Sequence, residues 1–145
     1  MDVAIEAGRA AISKSLAVEA VRATLRSQHT TRAELSIAFV SDRTIARINL
    51  QHLGRRGATD VIAFAFAPVS RGDAVIGDVY IAPEVARRSA RELKISEREE
   101  LVRLVVHGTL HVLGFDHPEG ESRTRSEMWK RQERIVQRVL GAKRS

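Results

Sequence analysis

From Leu104 to Leu113 the chain reads LVVHGTLHVL, apolar on nearly every side apart from two histidines. Just upstream, Ser96-Glu97-Arg98-Glu99 is a capping-box pattern that predicts a helix start. The first two turns carry Glu97, Arg98, Glu99, Glu100 and Arg103, and then the charges stop. A helix that loses its polar face in this way is entering a core, so the rest of the chain must be arranged around it. Gly114 is the natural residue to let the backbone turn out of that helix.

The surrounding elements follow from periodicity and punctuation. Asp2 to Glu6 alternates weakly as a strand, and Ile12 to Gln28 has helical spacing with Leu16, Ala20, Ala23 and Leu25 on one side. Glu34 to Val40 alternates as a second strand, and Ser41 is the N-cap of a helix ending near Gly54. Val61 to Phe66 and Ala74 to Ile81 are strands joined by Ser70-Arg71-Gly72-Asp73, which predicts an antiparallel pair. Pro83 opens a helix to about Leu93. A last helix, about Glu121 to Leu140, places Met128, Ile135 and Val139 on one stripe. No repeat or linker divides residues 1–145, so the expectation is one α+β domain: a mixed sheet of about four strands packed with helices.

The chain has no cysteine, so any bound metal must be held by histidine and carboxylate. His107, His111 and His117 fall within HGTLHVLGFDH. The first two share a helix face, and the break at Gly114 can return the third towards it. Three neutral imidazoles with an open fourth position describe a catalytic Zn²⁺ site, which lowers the pKa of water to about 7. The same donors also suit Ni²⁺, Co²⁺ or Cu²⁺. One Zn²⁺ per chain is the expectation. His29 and His52 read as surface residues.

The spacing is that of the extended zinc-protease pattern H-E-x-x-H-x-x-G-x-x-H, yet Gly108 stands where the catalytic Glu belongs. Peptide hydrolysis by that route is therefore disfavoured. Asp116 is either a substitute base or a partner that orients an imidazole. Phosphodiester cleavage places less demand on a base and more on cations that stabilise developing charge. Arg55 and Arg56, in the Gly-flanked loop LGRRGATD, are candidates for that work, or simply a solvated pair. The net charge is +6, and 20 of the 24 basic residues are Arg. That composition suits a polyanionic partner, although GC-rich codon usage also enriches Arg.

HGTLHVLGFDH resembles the H-G-x-L-H-x-x-G-[YF]-D-H motif of the YbeY family of bacterial endoribonucleases. INLQHLGRRGATDVIAF is similar to the family's L-N-x-x-Y-R-x-x-x-x-P-T-D-V-L-S-F, with Asn49, Thr59, Asp60 and Phe64 matching. GDVYIA, Gly77 to Ala82, is similar to its G-D-I-x-I-S strand. These pieces lie in order and span about half the chain. The resemblance implies zinc-dependent cleavage of single-stranded RNA in ribosomal RNA maturation at the small ribosomal subunit, with His107, His111 and His117 as metal ligands. It also admits a ribosome-assembly GTPase as partner. The family's frequent Arg falls on Leu53 and the Tyr before it on His52, so Arg55 or Arg56 would have to substitute. Ala58 and Ala63 replace the usual Pro and Ser.

Arg87, Arg88 and Arg91, on the helix after the hairpin, are further candidates for RNA contact. The basic last helix reads instead as a solvated face partly neutralised by Glu119, Glu121, Glu127 and Glu133. Aromatics are scarce at 4%, which argues against extensive base stacking, and Phe115 and Trp129 read as core. No leader or membrane-length apolar run is visible, so a cytoplasmic location is expected. Two other readings stand beside the nuclease: a metal hydrolase of a non-RNA substrate, and a non-catalytic ribosome assembly factor with structural zinc.

Overall fold

The computed structural model describes residues 2–7, 10–66, 74–115 and 126–144. The elements are β1 (Asp2–Ala7), α1 (Lys14–Ser27), β2 (Ala33–Phe39), α2 (Asp42–Leu53), β3 (Val61–Phe66), β4 (Val75–Ile81), α3 (Pro83–Leu93), α4 (Glu97–Val112) and α5 (Glu127–Arg144). The strands form one sheet in the order β1-β2-β4-β3. β1 runs parallel to β2, and β2 parallel to β4. β3 and β4 pair antiparallel, as their spacing predicts. The architecture is α+β with a mixed four-stranded sheet. Among the described residues, no helix is long and apolar enough to cross a membrane.

Serine fixes where several helices begin. The Ser13, Ser41 and Ser96 hydroxyls accept from the Leu16, Thr44 and Glu99 amides at 3.1, 3.1 and 3.0 Å, filling one orphan donor at each start. The capping box at Ser96 forms only in half, because the Glu99 carboxylate turns to Arg103 at 3.2 Å. Ser126 accepts from the Trp129 amide at 3.1 Å at the start of α5 at Glu127, while the expected helical residues from Glu121 to Arg125 lie outside the described residues. α3 leaves its last turn through Lys94 in the left-handed region (φ 58°), a role that glycine fills for α2 at Gly54 (φ 66°). The expected turn at Ser70 to Asp73 lies outside the described residues.

α4 is the centre of the molecule. Leu101, Val102, Val105, Val106 and Leu110 are fully buried, each contributing roughly 1.5–3 kcal/mol through burial. Leu35 and Ile37 of β2 and Val79 and Ile81 of β4 belong to the same core. Two glycines bring α4 unusually near β4. A Cβ on Gly77 would stand 2.5 Å from Val112 Cγ1 and 2.8 Å from the Phe64 carbonyl oxygen, and one on Gly108 would overlap Val79 Cγ1. The opposite sheet face meets α2, where Ile45 and Ile48 pack with Ile62, Phe64 and Tyr80. α2 covers only the β3–β4 end of that face, where the exposed Asp2, Ala4, Glu34 and Ile76 mark its open remainder, and α4 holds its histidines at a fixed height above β3 and β4.

Candidate metal centre

One helical turn separates His107 from His111, and their rings meet edge to face with centroids 4.5 Å apart. The two Nε2 atoms lie 3.0 Å from each other. Two ligands of one tetrahedral Zn²⁺, with bonds of about 2.0–2.1 Å, stand about 3.3 Å apart, so the pair fits a shared cation closely. His107 is 9% exposed, and its Nδ1 lies 2.7 Å from Gln132 Oε1. The Gln132 amide is oriented by its other end, where Nε2 donates to Glu133 Oε2 at 3.1 Å. With the carbonyl oxygen assigned to face the ring, Nδ1 donates to it, and the neutral form of that tautomer leaves the Nε2 lone pair for a cation. Ligand histidines are commonly oriented through the far nitrogen in this way.

Among the described residues no group of three or more His, Asp or Glu side chains is gathered for a metal. His117 and Asp116 lie outside the described residues. The structure thus brings two of the three expected ligands together.

A cleft of about 340 Å³ opens beside His107, with Asp60, Glu100, Arg103, Trp129 and Gln132 on its walls. Arg103, with a side chain 13% exposed, is its only lining arginine among the described residues. Its guanidinium grips Glu133 with two bonds of 2.8 Å and also reaches Glu99 at 3.2 Å and Glu100 at 3.3 Å. Burial pushes the Glu100 carboxyl up, against the pull of Arg103. Burial also works to raise Glu133, but hydrogen bonds from Arg103 and Gln132 outweigh it and hold that carboxyl below its ordinary value. Arg103 itself is raised, chiefly by Glu133. Sequence reasoning missed this chain from His107 through Gln132 and Glu133 to Arg103. One signal was present: Gln132 sits four residues after Met128 and three before Ile135, a polar residue on the buried stripe of α5, and it is 1% exposed.

The remaining candidates are scattered. Arg55 and Arg56 are exposed on the α2–β3 loop, and neither lines the cleft. Arg87 pairs with Glu97 at 3.4 Å and Arg88 with Asp42 at 3.0 Å, while Arg91 is exposed on α3. Leu53, at the family's arginine position, is 48% exposed. Asn49 is 6% exposed, and its Nδ2 donates to the Gly57 carbonyl at 3.0 Å, which ties the loop to α2. Phe64 stands edge-on between His52 and Tyr80. Phe115 packs on the core beneath Arg131, 5.2 Å from the ring centroid. Two readings are corrected. Trp129 forms part of the cleft wall instead of the core, and Glu133 points inward to Arg103 instead of neutralising the outer face of α5.

The family model described as endoribonuclease YbeY matches residues 3–140. An endoribonuclease YbeY from Persephonella marina is 35% identical over 136 residues, covering 92% of this chain and 88% of that one. Another from Frankia alni is 37% identical over 114 residues, covering 72% of this chain and 62% of that one. The solution structure of TM1509 from Thermotoga maritima superposes with a TM-score of 0.65 at 29% identity, covering 98% of this chain and 91% of that one. With its histidine helix in place and the family pattern running nearly end to end, this chain belongs to the endoribonuclease YbeY family.

Proposed function

We propose that the chain is a metal-dependent endoribonuclease that cleaves single-stranded RNA, acting in ribosomal RNA maturation at the small ribosomal subunit. The observation that carries this reading is the His107–His111 pair, with facing Nε2 atoms 3.0 Å apart and one ring oriented by Gln132, in a chain of this family. His107, His111 and His117 would hold one Zn²⁺. A bound Zn²⁺ supplies Lewis acidity at the scissile phosphate and acidifies water. The residues of the chain do the rest. Gln132 keeps the proton of His107 on Nδ1, and Asp60 places a carboxylate in the cleft where a proton can be accepted. Asp116, beside His117, retains both of its roles as base or orienting partner. Arg103 is committed to three carboxylates, so charge stabilisation at phosphate falls to arginines outside the cleft, with Arg55 and Arg56 as candidates.

A second reading, a metal hydrolase acting on a peptide or small molecule, is favoured by that same Asp60, which offers the base that Gly108 removes. One comparison separates them. The protein and His111→Ala are assayed for bound zinc by elemental analysis and for cleavage of single-stranded ribosomal RNA with and without a chelator. The expected result is about one zinc per chain and chelator-sensitive RNA cleavage in the parent. His111→Ala loses both, by more than the roughly 10–100-fold typical of losing an orienting partner. Equal cleavage by the two proteins removes the metal mechanism. Peptide hydrolysis with intact RNA installs the second reading.

Gln132→Leu tests the orienting bond. The substitution keeps the bulk of the side chain and removes the acceptor for His107 Nδ1. Zinc affinity, read by competition with a chelating dye, should weaken about 10–100-fold while the fold is retained. Unchanged affinity in a folded variant shows that the bond does not tune the site.

A further inference from the structure

A cluster of exposed arginines lies on α2 and the loop that follows it. Arg43 and Arg47 are one turn apart on the exposed flank of α2, and Arg56 comes up beside them from the loop. Together with Ala46, Leu50 and Gly57 they line an open groove of about 660 Å³ with no acidic residue among the described residues that line it. Asp42, the nearest carboxylate in sequence, is turned away to Arg88 at 3.0 Å. No ion pair engages Arg43, Arg47 or Arg56 among the described residues.

The loop is built to hold Arg56 there. Gly54 ends α2 in the left-handed region, and the Gly54 and Arg55 amides return to the Leu50 and Asn49 carbonyls at 3.2 and 3.3 Å. Gly57 takes φ 95°, and its carbonyl accepts from buried Asn49 at 3.0 Å. Three unneutralised guanidinium groups on a pinned frame offer planar forks that match phosphate oxygens. Half-exposed Leu50, at 54%, gives the groove an apolar floor against which a sugar can rest. The same loop runs on to Asp60 and Val61, which line the histidine cleft. Gly57 and Asp60 are separated by at most about 11 Å, a span that a few nucleotides cover.

We propose that Arg43, Arg47 and Arg56 form a phosphate-backbone groove that feeds single-stranded RNA towards the cleft. This deepens the endoribonuclease reading and rests on it for the identity of the polyanion. Exposed Arg55 lies outside the groove and takes no part in it.

The probe is a fluorescein-labelled 2′-O-methyl oligoribonucleotide, mixed with the full chain without added metal, with binding followed by anisotropy across a KCl series. In the triple variant Arg43→Gln/Arg47→Gln/Arg56→Gln, the slope of log affinity against log salt should become shallower by about 2, at about 0.7 per phosphate contact. Each single variant should lose about 0.7, which keeps the test open if the triple variant folds poorly. The triple Arg→Lys variant should restore the slope but not the full affinity, because Lys keeps the charge and loses the fork. Arg134→Gln/Arg138→Gln, on α5, is the control and should leave the slope near the parent value. An unchanged slope in the triple variant, or an equal loss in the control, overturns the proposal. So does release of the RNA from the parent by phosphatidylglycerol vesicles at equal phosphate, which assigns the groove to a membrane surface. Binding is read without cleavage, so the two readings fail separately. RNA cleavage with an unchanged slope removes the groove and leaves the nuclease. Groove-dependent binding with no cleavage under any metal does the reverse.

Discussion

Gly108→Glu, which restores the His-Glu-x-x-His protease pattern to α4, is expected to unfold the protein instead of conferring peptidase activity. The Gly108 Cα faces the sheet, where an added Cβ would overlap Val79 Cγ1 and approach Val79 Cγ2 and Val61 Cγ2 at 3.2 and 3.4 Å. Overpacking of this kind costs about 1–3 kcal/mol for Ala. A glutamate adds the burial of a charge with no partner, a further penalty of several kcal/mol. Together these approach the whole stability of a typical domain, about 5–15 kcal/mol. Circular dichroism and urea titration of Gly108→Ala and Gly108→Glu should show a graded loss, with Glu unfolded or nearly so. A Glu variant that melts with the parent would mean that α4 can lift from β4, and the packing account would be wrong. The missing glutamate therefore has a structural cause. This helix lies too near the strand to carry any side chain at that position, and the same contact sets the height of the histidines.

Much of this was legible because it is local. An i,i+4 histidine pair must share a helix face, and serine before an apolar-periodic run must cap it. Strand alternation at Glu34 to Val40 gave one strand, and the turn-forming residues in the sequence between Val61–Phe66 and Ala74–Ile81 gave two more and the antiparallel pairing of those two. Sequence spacing is silent where the partner is distant. His107 finds Gln132 25 residues downstream, and Arg103 finds Glu133 30 residues downstream, contacts decided by how α5 docks on α4. Reading α5 by Met128, Ile135 and Val139 alone made its buried stripe too narrow. Gln132 lies inside that stripe, and Trp129 and Glu133 flank it. The parallel order β1-β2-β4 likewise depends on crossovers that no single strand encodes. Arg55 and Arg56 looked equivalent in LGRRGATD, and only the turn at Gly54 and the Asn49 tie to Gly57 separate them.

Arg103→Met tests the other half of this architecture. The substitution leaves Glu99, Glu100 and Glu133 facing one another without their cation, and breaking such a partly buried set costs less than the about 3–5 kcal/mol of a fully buried one. The pH dependence should also change. In the parent, Glu133 is held below its ordinary value, so its stabilisation is present above the unfolded pKa and is lost as pH falls through the folded one. Glu100, raised by burial, works oppositely: it opposes folding at neutral pH, and that penalty is relieved as acid protonates it. The two partly cancel on mild acidification. Without Arg103, burial is the dominant influence on both carboxyls, so both values rise and both favour the folded state as pH falls. Urea midpoints for Arg103→Met should therefore increase between about pH 7.5 and about pH 5, while those of the parent change little or decrease. Parallel midpoints for the two proteins over that range would show that Arg103 is not what holds the carboxylates ionised. The consequence reaches the metal centre, because Glu133 orients the Gln132 amide and Gln132 sets the tautomer of His107. A variant that recovers its stability in acid but still binds zinc weakly at neutral pH would place the cause in that relay, whereas loss of zinc in proportion to unfolding would confine Arg103 to stability alone.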